Sequence, residues 1–138
     1  MRIMVIDGQG GGIGKHLTEK IRKGLGPEVE IIAIGTNSVA TSLMLRAGAN
    51  DGATGENAVI QNADQVDFIV GSLAVIVAHS MLGELTPAMA EAVGKSKAKK
   101  ILLPINRSGI EIVGTMAEPL PHLIDALVER LRKEMPHV

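Results

Sequence analysis

Apolar residues in this chain come in short unbroken runs, with amphipathic stretches between them. Five runs have strand character: "RIMVI" (2–6), "EIIAIG" (30–35), "DFIVG" (67–71), "KILLPI" (100–105) and "IEIVG" (110–114). The first four are apolar at consecutive rather than alternate positions, which suits strands covered on both faces of a parallel sheet. Ile13, Leu17, Ile21 and Leu25 recur every fourth residue, with Lys15, Glu19, Lys20, Arg22 and Lys23 on the other faces. That spacing is one helical stripe, and Val39, Leu43, Met44 and Ala47 form a second. "TPAMAEAVGKS" opens a third helix, with Thr86 as N-cap and Pro87 in its first turn. Leu120, Leu123, Ile124, Leu127, Val128 and Leu131 mark a C-terminal helix, on which Glu129 and Lys133 are spaced to pair. The segment 72–85, "SLAVIVAHSMLGEL", reads equally as strand, helix or buried loop.

Strand and helix alternation of this kind predicts an α/β fold: a three-layer Rossmann-like sandwich with a mostly parallel sheet of about five strands and a C-terminal helix. Residues 1–138 are expected to form a single domain. The first strand, apolar throughout, belongs at the centre. "IEIVG" carries Glu111 and belongs at an edge, where an antiparallel orientation is open to it.

Glycine placement adds chemistry to this picture. Five of the seven residues from Gly8 to Gly14 are glycine, directly after the first strand and before the first helix. Gly35 and Gly71 close the second and third runs. In open α/β sheets ligands bind outside the carboxyl ends of the strands, where these glycines fall. Glycine leaves backbone N–H groups unshielded, and a helix N-terminus adds partial positive charge, so the loop suits a phosphate. A tight strand-to-helix turn without ligand is the plainer alternative. The amides of Gly10, Gly11, Gly12, Ile13 and Gly14 are the expected contacts, with Gly8 and Gln9 completing the loop and Asp7 turned to a hydroxyl or a cation.

Other candidates stand at the same edge of the sheet. Thr36, Asn37, Ser38 and Thr41 follow the second strand and read either as helix caps or as donors to a ribose or phosphate. "RAGANDGATGEN" (46–57) reads as a Gly- and Asn-rich loop, with a helix start at Thr54 to Asn57. Asn106 and Arg107 follow the fourth run, and Arg107 is the best-placed cation for an anion. His79, Ser80 and Glu84 suggest a catalytic set, but the reading preferred is of partly buried polar residues in an apolar segment. No metal site is expected, and no catalytic residue is assigned.

Composition narrows the function classes. Lys and Arg number 14 against 15 Asp and Glu, and Phe68 is the only aromatic, so nucleic-acid binding is not expected. The chain has no cysteine, which removes thiol catalysis, disulfides and Cys-type metal sites. No apolar run approaches the length of a membrane span, and no long apolar leader is visible, so a cytoplasmic protein without membrane contact is expected. Hydrophobic residues make up 46% of the chain. Met81, Leu82, Leu85, Met89 and Met116 look like more apolar surface than its core needs, and a two-fold homodimer is expected.

Gly8-x-x-x-Gly12-x-Gly14 resembles the phosphate loop of short-chain dehydrogenases, which implies a nucleotide or dinucleotide cofactor. That family's Tyr-x-x-x-Lys is absent from a chain without tyrosine, as is an acidic residue after the second strand for an adenosine ribose. The order of blocks loosely resembles the nucleotide-binding half of the bacterial tubulin homologue, without its glycine-rich signature. "VIDGQGGGIGK", "IIAIGTNSVATSLMLRAGANDGATGENAV" and "SMLGELTPAMAEA…KKILLPINR" together resemble a family of short uncharacterised bacterial proteins, domain of unknown function 3842. Two readings follow: a module that binds a nucleotide or other small phosphorylated ligand, or a small oxidoreductase- or phosphotransfer-like enzyme completed by an oligomer partner.

Overall fold

Successive side chains of a strand point to opposite faces, so a run apolar at every position needs cover on both sides. The computed structural model, which describes residues 1–105 and 109–135, supplies that cover with two layers of helix. The chain runs β1 (Arg2–Asp7), α1 (Gly12–Leu25), β2 (Glu30–Gly35), α2 (Ser38–Arg46), β3 (Asp51–Thr54) and α3 (Glu56–Asn62). It continues through β4 (Phe68–Ser72), α4 (Pro87–Lys95), β5 (Lys99–Leu103) and α5 (Leu120–Glu134). The five strands form one sheet in the order β3-β2-β1-β4-β5, and every pairing is parallel.

β1 is central, as expected: Ile3 pairs with Ile31 of β2 on one side and Phe68 of β4 on the other. Its Ile3 and Val5 pack with Leu17, Ile21, Met44, Leu127 and Leu131 from α1, α2 and α5. Met4 and Ile6 face the opposite layer, with Val59 of α3 and Met89 and Val93 of α4. The α5 stripe behaves as its spacing implies, with Ile124, Leu127, Val128 and Leu131 all buried. Glu129, however, pairs with Arg132 one turn away rather than with Lys133.

Two expectations need correction. Residues 51–54 form β3 although the sequence there reads as loop. "DGAT" has no apolar signature; backbone pairing with β2 holds it, Ile32 to Asp51 through Gly35 to Thr54. The Asn50 side chain sets that register by accepting from Ile31 N–H at 2.8 Å. Conversely, "IEIVG" forms no strand: residues 109–119 are exposed along their length, and Val113 is 97% exposed. Its β-branched residues join none of the five described strands, so propensity alone does not make a strand there.

The ambiguous segment 72–85 ends β4 at Ser72, makes a 3-10 turn at Leu73–Ile76, loops back across the carboxyl edge and makes a second short turn at Met81–Gly83. Leu85 is buried at its end, and Met89 is buried in α4, so both fill the core rather than the interface expected of them. Met81 is half-buried against the same layer, whereas Leu82 and Met116 stay exposed.

Candidate ligand-binding site

The chain leaves β1 toward β2 on one side and returns at β4 on the other, so the carboxyl ends of β1 and β4 border the switch point of the sheet. The loop from β1 to α1 crosses that edge. Its turn is closed by Gly11 N–H donating to Gly8 O at 2.9 Å, with φ of +48° at Gln9 and +75° at Gly11. Gly8, Gly11 and Gly14 are buried, and Gln9, Gly10 and Gly12 are exposed. Among the described residues, the N–H groups of Gly10, Gly12 and Ile13 have no acceptor. A helix start leaves such donors unsatisfied.

Gly14 is different. Its N–H donates to Asp7 Oδ2 at 2.6 Å. Asp7 follows Ile3 and Val5 in facing the α1 layer, so its carboxyl lies beneath the helix start rather than out toward a hydroxyl or cation. Burial raises the Asp7 pKa above its ordinary value, against the lowering effect of the Gly14 and Gly8 amides. The nearby Glu84 charge raises it further.

The second wall comes from the end of β2. Thr36 N–H donates to Asp7 O at 2.9 Å, tying the two strand ends together. Asn37 takes the capping role: its Oδ1 accepts from Ala40 N–H, while its Nδ2 donates to Gln9 O, each at 2.9 Å. Ser38, the first residue of α2, is exposed beside it. Thr41 turns inward, with Gly35 N–H and Thr54 Oγ1 at 3.1 and 2.8 Å, and so braces β2 against β3. A hollow along α2, lined by Ser38, Val39, Ser42, Leu43 and Arg46, adjoins the loop where Leu43 approaches Gly11.

The residue that sequence reasoning set aside is Glu84. Its Oε1 accepts from Gln9 N–H at 2.8 Å, Thr36 Oγ1 at 2.6 Å and Asn37 Nδ2 at 2.9 Å. These bonds, that of Thr36 foremost, hold its carboxyl below the ordinary pKa. Glu84 lies 75 positions from Gln9 with no local motif to mark it. His79 and Ser80 do not join it: His79 is exposed, and Ser80 Oγ donates to Ala74 O at 2.6 Å. Glu56, at the expected helix start, accepts from Thr86 Oγ1 at 2.6 Å. Asn106 and Arg107 lie outside the described residues. Among the described residues, no group of three or more His, Asp or Glu side chains is arranged to hold a metal ion.

The sequence matches the family model for a domain of unknown function, DUF3842, over residues 2–136. The chain belongs to that family. No curated protein matches the DUF3842 chain. Among solved structures it is similar to a dodecameric FMN-dependent UbiX-like decarboxylase from Escherichia coli O157:H7. That match has a TM-score of 0.53 and 14% identity, over 97% of this chain and 94% of the other, a likeness of fold. What the DUF3842 site offers chemically is donors: three unengaged amides at the start of α1, and three more converging on Glu84. Among the described residues, no helix is long and apolar enough to cross a membrane.

Proposed function

We propose that this DUF3842 protein binds a nucleotide or another phosphorylated small molecule at the β1–α1 loop. The observation that carries the reading is the set of amides at Gly10, Gly12 and Ile13, without acceptors among the described residues. A Cβ placed on Gly10 or Gly12 would have no neighbour within 4 Å, so an anion can approach both closely. Gly8, Gly11, Gly14 and Asp7 shape the loop, and Gln9, Thr36, Asn37 and Ser38 border it. Asn106 and Arg107, which follow β5 in sequence, remain candidates to meet the same anion. FMN, which the UbiX-like decarboxylase requires, is one nucleotide to try. Its phosphate suits the loop, whereas the only aromatic, Phe68, stands at the opposite end of β4 and would not stack on its ring.

The test is calorimetric titration of AMP, ADP, FMN and NAD into the wild type and Gly12→Val. Binding of at least one nucleotide to the wild type and none to the variant is expected. Equal binding by both would mean that these glycines serve only the turn.

The same reading includes a homodimer, supported by apolar side chains left exposed: Leu82 at 98%, Val113 at 97% and Met116 at 82%. Light scattering is expected to give twice the chain mass at micromolar concentration. A monomer throughout that range would exclude the dimer.

A further inference from the structure

Residues 79–85 form a strap whose base is secured to the core and whose tip turns back on that base, with Gly83 N–H shared between His79 O and Ser80 O at 3.2 Å each and Glu84 N–H donating to Met81 O at 3.1 Å. At the base, His79 N–H donates to Leu85 O at 2.7 Å and Leu85 N–H donates to Ser80 O at 3.2 Å. Ser80 Oγ fixes this base to Ala74 O, and Leu85 is wholly buried. The tip takes left-handed backbone three times in succession, with φ of +58° at Met81, +55° at Leu82 and +92° at Gly83. Two of these residues carry a Cβ, which makes that conformation unfavourable. Nor does the tip gain burial at Leu82, which is 98% exposed. Met81 contributes packing over Gly8, where a Cβ would fall 2.7 Å from its sulfur. The polar hold is Glu84, through its three bonds to Gln9, Thr36 and Asn37.

Those donors converge on one carboxylate oxygen at the ends of β1 and β2, and one of them, Gln9 N–H, belongs to the residue directly before the unengaged amide of Gly10. N–H and O–H groups so aimed serve a phosphate oxygen by the same charge-assisted bonds that serve a carboxylate. Two anions cannot occupy them together. Resting on the phosphate reading of the loop, we infer that Glu84 is an internal competitor and the strap 79–85 a latch. In the unliganded protein the carboxylate fills the donor cluster. A phosphorylated ligand displaces it, and the tip swings away on its secured base. The latch weakens the binding of every anion at this site by the same factor, the fraction of molecules that are open.

The experiment titrates inorganic phosphate and ADP into the wild type and Glu84→Ala, with hydrogen exchange followed at residues 79–85. Glu84→Ala is expected to bind roughly tenfold more tightly, since its site is no longer masked. Its strap amides are expected to exchange faster without ligand, and wild-type strap amides to do so once ADP is bound. Glu84→Gln keeps the size of the side chain and is expected to shift binding in the same direction, should the alanine variant fold poorly. Wild type binding as tightly as Glu84→Ala, or a strap still protected in the ADP complex, would overturn the latch and leave the phosphate site standing. Absence of binding by both proteins would overturn the latch and the phosphate reading together.

Discussion

The β1–α1 loop and the 79–85 strap meet at one carboxylate, yet they are held in different ways. In the loop, neighbours pack into the space that missing side chains leave. A Cβ would fall 2.2 Å from Thr36 Oγ1 at Gly8, 2.8 Å from Ala40 Cα at Gly11 and 2.7 Å from Asp7 Cβ at Gly14. The strap places His79, Met81 and Leu82 in the left-handed region, where the loop places Gln9 alone among its residues with a side chain, and Leu82 touches little in return. The loop is therefore held by packing on several sides, while the strap, closed by its own backbone bonds, is attached to that loop through Met81 and a single acidic side chain. Rigidity where donors must stay aimed, and conditional attachment where something must move, follow from that difference.

The largest expected effect is at Gly11. Valine there would meet the Ala40 backbone and carry a β-branched side chain at φ +75°, so Gly11→Val is expected to lose about 3 kcal/mol of stability. Denaturant unfolding measures it, and a loss near zero would mean that the loop is as yielding as the strap. Gly12→Val is the counterpart in open space. Its stability is expected to stay within about 0.5 kcal/mol of wild type while nucleotide binding disappears. If unfolding shows Gly12→Val to be as damaged as Gly11→Val, the division into packed and open glycines fails.

A smaller effect is expected on the strap. Leu82→Gly relieves the left-handed strain but adds freedom to the unfolded chain, for a net gain of about 0.5 kcal/mol. Slower hydrogen exchange at residues 79–85 would accompany that gain; faster exchange would show that the Leu82 side chain holds the tip.

The subtlest separation is by pH. Asp7 titrates above its ordinary value because it is buried, so the stability it contributes is present in acid and lost as pH rises through that raised value. Glu84 titrates below its ordinary value because Thr36, Gln9 and Asn37 donate to it. Its contribution is present above the ordinary value and lost as pH falls through the lowered one, which frees the strap. Carboxyl resonances followed by NMR are expected to show the two midpoints displaced in opposite directions. In Glu84→Gln the Asp7 midpoint is expected to move down, since a nearby negative charge has gone. An unmoved Asp7 midpoint would mean that the two carboxyls do not sense each other.

Much of this molecule could be read along the chain. The unbroken apolar runs of β1, β2, β4 and β5 forecast a doubly covered parallel sheet, and the stripes of α1 and α5 forecast which faces they bury. Asn37 and Thr86 sit at helix starts for the local reason that their side chains accept from the first free amides. The glycine-rich loop falls at the carboxyl end of the central strand, as its place after the first run implied.

Tertiary structure decided the remainder, because the interactions concerned have no local signature. β3 exists through backbone hydrogen bonds to the edge of β2, which residues as unlike strand formers as "DGAT" can make. "IEIVG" has strand-like side chains but joins none of the five described strands. Asp7 faces inward because alternation along β1 assigns it to the α1 layer, which a reading of the loop alone does not consider. Glu84 reaches the glycine loop across 75 positions, carried there by a strap whose path follows from burying Leu85 between the sheet and α4. Sequence by itself settled what depends on periodicity and on neighbours within a helical turn. The meeting of Glu84 with Gln9, Thr36 and Asn37 depends on where three separate chain segments end, and only the packed sheet determines that.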